Sequence, residues 1–189
     1  MTSTPVVHET ALSRLLFADT RLSLLWLALR LYVGWAWLQS GWHKVGDPAW
    51  VGASAGQAVT GFLRGALGKA SGETPQVSGW YAWFIENVAL PNAPVFSYLV
   101  AFGEIAVGVA LILGLFTGIA AFMGGLMNAN YLLAGTLSTN PLLFILATWL
   151  VLGWRVAGWL GLDRWVLPRL GVQVSDGAPD TSPREPSQT

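Results

Sequence analysis

Four stretches of the chain are apolar almost without interruption, and polar segments separate them: 22–42, 94–116, 118–137 and 141–160. Each is about the length, roughly 20 residues, that a helix needs to cross a bilayer's hydrocarbon. Their ends carry helix punctuation. Asn140-Pro141 sets a capping residue before a first-turn proline, and Asn92-Ala93-Pro94 repeats the device. Gly114 and Gly118 bracket Leu115-Phe116-Thr117, which predicts a tight turn, and Ser138-Thr139 predicts another. Turns this short make the last three helices antiparallel neighbours. The predicted fold is all-α, an integral membrane four-helix bundle spanning 22–160.

Between the first two spans lies a long loop, 43–93, too apolar for a plain linker. Ala55, Ala58, Val59, Phe62, Leu63, Ala66 and Leu67 recur at helical spacing, and Trp80-Tyr81-Ala82-Trp83-Phe84-Ile85 forms a second apolar block. Both are too short to span, so the loop reads as a helical cap in the membrane interface. Residues 1–21 lack the pattern of a signal peptide and are expected to stay in the mature protein as a cytoplasmic segment. Residues 161–189 are expected to be cytoplasmic and largely disordered, because the stretch after Gly171 is rich in Pro, Ser, Asp and Thr.

Charge placement orients the bundle. Arg14 and Arg21 precede the first span, while Arg155, Arg164 and Arg169 lie at or beyond the end of the fourth. Basic residues favour the cytoplasmic side, so both termini are expected there, in a multi-pass protein of a bacterial or archaeal cytoplasmic membrane. Trp42, Trp50, Trp80 and Trp83 fall at the outer interface, and Trp154, Trp159 and Trp165 at the inner one.

Composition narrows the chemistry. Of 189 residues, 53% are hydrophobic and 11% charged, with no cysteine, two histidines and a formal net charge of zero. A neutral chain offers nucleic acid no electrostatic footing. Without cysteine there is no disulfide, thiolate step, iron–sulfur cluster or c-type haem attachment. His8 and His43 alone leave almost nothing to hold a metal or haem.

Charges inside the spans are the candidates for function, because the bilayer centre penalises them. Arg30 lies twelve residues before Trp42, roughly 18 Å deep, and Glu104 lies ten residues after Pro94, roughly 15 Å deep. Similar depth on antiparallel helices predicts an Arg30–Glu104 ion pair. Arg30, Gly34, Trp37, Gly41 and Lys44 share one stripe of the first helix. Gly124, Asn128, Tyr131 and Gly135 share one of the third. Small residues beside polar ones allow close helix contact. The expected site is a polar centre with Glu104 and Arg30 as catalytic groups. Lys44, Asn128, Tyr131, Trp37 and His43 would line it, and it would open outward near Gln39. The bland alternative is a buried ion pair that only fixes helix register.

The runs Leu29-Arg30-Leu31-Tyr32-Val33-Gly34 with Gly41-Trp42-His43-Lys44, and Phe102-Gly103-Glu104-Ile105-Ala106-Val107-Gly108, resemble the first- and second-helix motifs of the DoxX family. The long loop and Asn128-Ala129-Asn130-Tyr131-Leu132-Leu133-Ala134-Gly135 look most like its DoxD-like branch, which includes the small membrane subunit of thiosulfate:quinone oxidoreductase. The resemblance covers all four spans and implies oxidation of thiosulfate to tetrathionate with a membrane quinone as electron acceptor. With no redox group of its own, the chain would need direct contact between donor and quinone or a partner subunit carrying that group; a second subunit or a homo-oligomer is the expected assembly. Two other classes remain open: a non-enzymatic scaffold or assembly partner for a redox or stress-response complex, and a small-solute permease.

Overall fold

The structure, a computed structural model, describes residues 10–17 and 19–172. The expected disordered tail beyond 172, and most of the segment before α1, lie outside the described residues. Among those described, the chain is helical and contains no strand. A short helix α1 (Ala11–Phe17) leads through a 3₁₀ turn, Thr20–Leu22, into the long α2 (Ser23–Val45). Two helices of the loop follow, α3 (Gln57–Leu67) and α4 (Gly79–Phe84), the latter running on as a π-helical turn, Ile85–Ala89. Then come α5 (Ala93–Leu113), α6 (Thr117–Leu133), α7 (Asn140–Leu152), the single turn α8 (Trp154–Ala157) and α9 (Asp163–Arg169).

Helices α2, α5, α6 and α7 pack together, with α2 against α5 and α6 against α7 as the closest pairs. The α2–α5 seam is built from glycines. A Cβ on Gly108 would lie 2.5 Å from the Leu38 nitrogen, and one on Gly41 would lie 2.8 Å from the Ile105 nitrogen. The backbones therefore touch, and the predicted stripe on the first helix is the face that does it. Trp26, Val33, Trp37, Val107, Leu111, Ala121 and Leu150 form the core between the helices.

Helices α5 and α7 start within a residue of the expected positions, with prolines in their first turns, but neither start has a side-chain cap and Asn140, expected to cap α7, is its first residue after Thr139. The turn from α5 to α6 closes as a Schellman motif: Leu115 donates to the Ala110 carbonyl and Gly114, left-handed at φ 65°, donates to that of Leu111. Phe116 is also left-handed, at φ 49°. Asp163, buried and distant in sequence, accepts from the backbone nitrogens of Phe116 at 2.6 Å and Thr117 at 2.9 Å. Its carboxylate thus caps α6, where negative charge complements the helix dipole. Asp163→Ala is expected to lower stability by about 1–2 kcal/mol, the usual worth of such a cap. Thermal unfolding of the detergent-solubilised chain checks this.

The fourth apolar stretch is not one helix. Regular geometry stops at Gly153, where a Cβ would lie 2.7 Å from the Trp26 ring, so the chain bends around that indole. Only α5, with 21 residues and a mean hydropathy of 2.1, is long and apolar enough by itself to count as a membrane span among the described residues. Helix α2 is long but carries Arg30, Gln39, His43 and Lys44. Helix α6 has 17 residues and α7 has 13.

The long loop folds as a cap with its own core. Val59, Leu63, Ala66, Val77, Tyr81, Ile85 and Ala89 pack with Ala93 and Ala134 over one end of α5 and α6. The Tyr81 hydroxyl ties the cap down by donating to Asn130, at 3.1 Å to both its carbonyl and its side-chain oxygen. Burial pushes the Tyr81 phenol above its ordinary value, which keeps the hydroxyl a donor.

Candidate functional site

Beneath the cap, three helices bring a lysine, a glutamate and a tyrosine together. Glu104 of α5 is fully buried. One carboxylate oxygen accepts from Lys44 Nζ of α2 at 2.6 Å, and the other from the Tyr131 hydroxyl of α6 at 2.7 Å. Lys44 also donates to Ser40 Oγ at 2.7 Å, and its ammonium lies 5.1 Å from the centre of the Trp50 ring. The carboxylate is thus doubly satisfied and electrically balanced, as a buried charge must be to persist.

The sequence-based pairing of Arg30 with Glu104 is corrected here. Equal depth for Arg30 and Glu104 requires Trp42 and Pro94 to be level, and they are not. The seam shows the offset: Gly41 faces Ala101 and Ile105, and Gly34 faces Gly108 and Leu111. Glu104 is therefore level with Gly41, while Arg30 reaches Gly114, ten residues or about 15 Å further along α5. There Arg30 is buried, threads between Gly114 and Gly161, and donates from Nη2 to the Leu160 carbonyl at 3.0 Å. Lys44, expected only to bind substrate, is the true partner of Glu104. Sequence reasoning also missed Asp163, which no motif near it announces.

Of the remaining expected residues, His43 and Trp37 line the same cavity as Lys44, Glu104 and Tyr131, and Asn128 does not. This cavity is about 540 Å³, open, and floored by Trp37 and Leu143, with Ser138, Thr139 and Asn140 on its rim. Asn128 lies one turn below Tyr131 on α6, fully buried, and neither its amide oxygen nor its nitrogen has a partner among the described residues. The Trp37 indole nitrogen is equally unpartnered and lies where a Cβ on Gly124, one turn before Asn128, would sit 2.9 Å away. Unpaired buried polar groups are costly, and these two sites lie enclosed between α2 and α6, with Asn128 outside the cavity lining.

A second cavity, about 450 Å³ and strongly apolar, lies between α5, α6 and the cap. Phe84, Phe96, Val100, Met123, Met127 and Leu63 are among its walls. Leu99, Met123 and Leu126 are exposed at its edge, which opens it sideways between α5 and α6. Trp50, Phe62 and Tyr131 line both cavities, with Phe62 edge-on to Tyr131 at 5.8 Å. Among the described residues no cluster of His, Asp or Glu could hold a metal ion.

An all-helical protein with glycine-welded helices, a buried carboxylate and a helical cap is the class that these features define. The chain belongs to the DoxX family, whose model matches residues 25–136 and thus takes in the whole Lys44–Glu104–Tyr131 cluster. Members of this family are generally membrane-associated. No curated protein and no solved structure matches the chain.

Proposed function

We propose that the chain is a multi-pass membrane protein in which α2, α5, α6 and the α7–α8 segment cross the bilayer, both termini cytoplasmic. In this reading it is the membrane subunit of a quinone-linked oxidoreductase of the DoxD-like branch. The observation that carries the reading is the shared wall: Tyr131 borders an open polar cavity on one side and a lateral apolar cleft on the other, and its hydroxyl is bonded to Glu104.

Each cavity suits one class of ligand. The polar one presents the Lys44 ammonium, His43 and a rim of hydroxyls and amides, a setting for a small water-soluble anion such as thiosulfate. The apolar one has aromatic and thioether walls, Tyr131 among them, which fits a flat lipid-soluble ring such as a quinone. Joining two thiosulfates by a sulfur–sulfur bond releases two electrons, and a quinone takes up two electrons with two protons. Thiosulfate supplies no proton, so both come from water: Lys44, partly open to the cavity, can pass one to Glu104, and Tyr131, replenished from Glu104, can release its own toward the apolar side. The chain has no cysteine to store electrons, so donor and acceptor meet across this wall or a second subunit carries the redox group.

Proteoliposomes containing the full chain, with any co-purifying partner, are expected to reduce a short-chain quinone when thiosulfate is added. Glu104→Gln, which keeps shape and a hydrogen-bond acceptor, is expected to lower the rate by about a hundredfold, the usual weight of a positioned proton carrier. Gly103→Leu provides a second arm. A Cβ there meets only the Met127 sulfur, at 3.6 Å, so leucine enters the cleft without disturbing the backbone and is expected to weaken quinone binding. Unchanged rates in Glu104→Gln would remove Glu104 from the mechanism. A wild-type chain that neither binds nor reduces quinone would overturn the reading.

A further inference from the structure

At the end of the bundle opposite the cap, the segment after α7 is held more firmly than a connection requires. Arg30 holds the Leu160 carbonyl, the Leu162 nitrogen donates to the Leu113 carbonyl at 3.1 Å, and the Asp163 nitrogen donates to that of Gly114 at 2.8 Å. The Asp163 carboxylate adds its two bonds to the start of α6. Buried Asp163 and Leu167 face the bundle, and the rest of α9 faces outward.

This rigid segment presents cations and rings together. The Arg164 guanidinium lies 4.8 Å from the centre of the Trp159 ring and 5.7 Å from that of Trp165, and Arg155 lies 5.2 Å from that of Trp154. Trp165 is 63% exposed, beside exposed Leu162 and Leu170. Stacking occupies the faces of a guanidinium and leaves its edge, with its fork of N–H donors, free to grip an oxyanion two bonds at a time. No carboxylate among the described residues pairs with Arg155, Arg164 or Arg169. The described charges at this end are Arg14, Arg21, Arg30, Arg155, Arg164 and Arg169 against Asp19 and Asp163, of which Arg30 and Asp163 are buried and already engaged.

We infer that Trp154–Leu170 is a built site for the phosphate of an anionic phospholipid, with Arg164 as its centre and Trp159 and Trp165 holding the guanidinium at headgroup depth. Tryptophan prefers that depth, and a basic surface next to a bilayer draws anionic lipid to it. An acidic protein surface would satisfy the charge but not the exposed indole and leucines, which belong in the interface. The inference rests on the membrane placement proposed above and not on any redox role.

The test uses the full chain in nanodiscs of equal parts phosphatidylcholine and phosphatidylglycerol. Lipid retained through detergent washing is counted by mass spectrometry. Wild type is expected to keep phosphatidylglycerol preferentially. Arg164→Gln should cut that preference by about fivefold, the effect of one arginine at a membrane surface. Arg164→Lys should restore only part of it, since lysine lacks the planar fork. Arg64→Gln, in the cap, should change nothing. Equal preference in wild type and Arg164→Gln, full rescue by lysine, or displacement of the lipid by millimolar inorganic phosphate would each overturn the proposal. Preference that appears only with a co-purified acidic protein would do so too. A chain that fails to enter nanodiscs at all would instead refute the membrane placement.

Discussion

Lys44→Met is expected to destabilise the protein by about 3 kcal/mol, the lower part of the range for breaking a buried ion pair. The cause is what remains: Glu104, fully enclosed, would keep the Tyr131 hydroxyl as its single donor. Lys44 itself is partly open to the cavity, its side chain 16% exposed, which places the loss at the low end. The decisive comparison is the double variant Lys44→Met/Glu104→Gln. With the charge removed from both sides, most of the lost stability should return, because a neutral amide no longer demands a cation. Chemical unfolding in a single detergent reads both variants. Equal destabilisation of the single and double variants would show that Lys44 matters for packing alone.

Gly108→Ala carries the other large effect, and it acts through shape. The added carbon would meet the Leu38 nitrogen at 2.5 Å, its Cα at 2.7 Å and the Gly34 carbonyl at 2.8 Å. All three are backbone atoms, so no side-chain rotation relieves the clash and α2 must move off α5. Overpacking usually costs about 1–3 kcal/mol, and this substitution falls at or beyond the top of that range. Because the same seam brings Lys44 to Glu104, displacement should also open the ion pair. Gly103→Ala, five residues earlier on α5, meets only a flexible methionine and should leave stability within about 0.5 kcal/mol of wild type. A thermal unfolding series that failed to separate these two alanines would contradict the close packing of α2 on α5.

Much of this architecture is readable in the linear chain because its signals are local. First-turn prolines start α5 and α7, Gly114 ends α5, and the apolar spacing of the loop foretells α3. Glycine and polar stripes on α2 and α6 likewise disclose which faces turn inward. What the sequence does not disclose is relative height. Two helices joined by a long loop can slide past one another, and the fit of Gly41 against Ala101 and Ile105, with Gly108 against Gly34 and Leu38, fixes the offset. That slide separates Arg30 from Glu104 and hands the carboxylate to Lys44. Asp163 was hidden for a related reason, since it caps a helix that starts 46 residues earlier in the chain. The break at Gly153 depends on where Trp26 comes to rest, and in the sequence Gly153 is one glycine among several in the apolar stretches.

That break bears on the surrounding lipid. The 13 regular residues of α7 rise about 20 Å, whereas acyl chains fill about 30 Å. Under the proposed topology the turn α8 carries the crossing on past the bend and makes up part of the difference, so the leaflets beside α7–α8 thin by a few Å, while on the α5 side they can stay at full height. Such a thickness gradient around one small protein favours shorter acyl chains on one flank, and a second copy docking flank to flank would relieve the deformation of both.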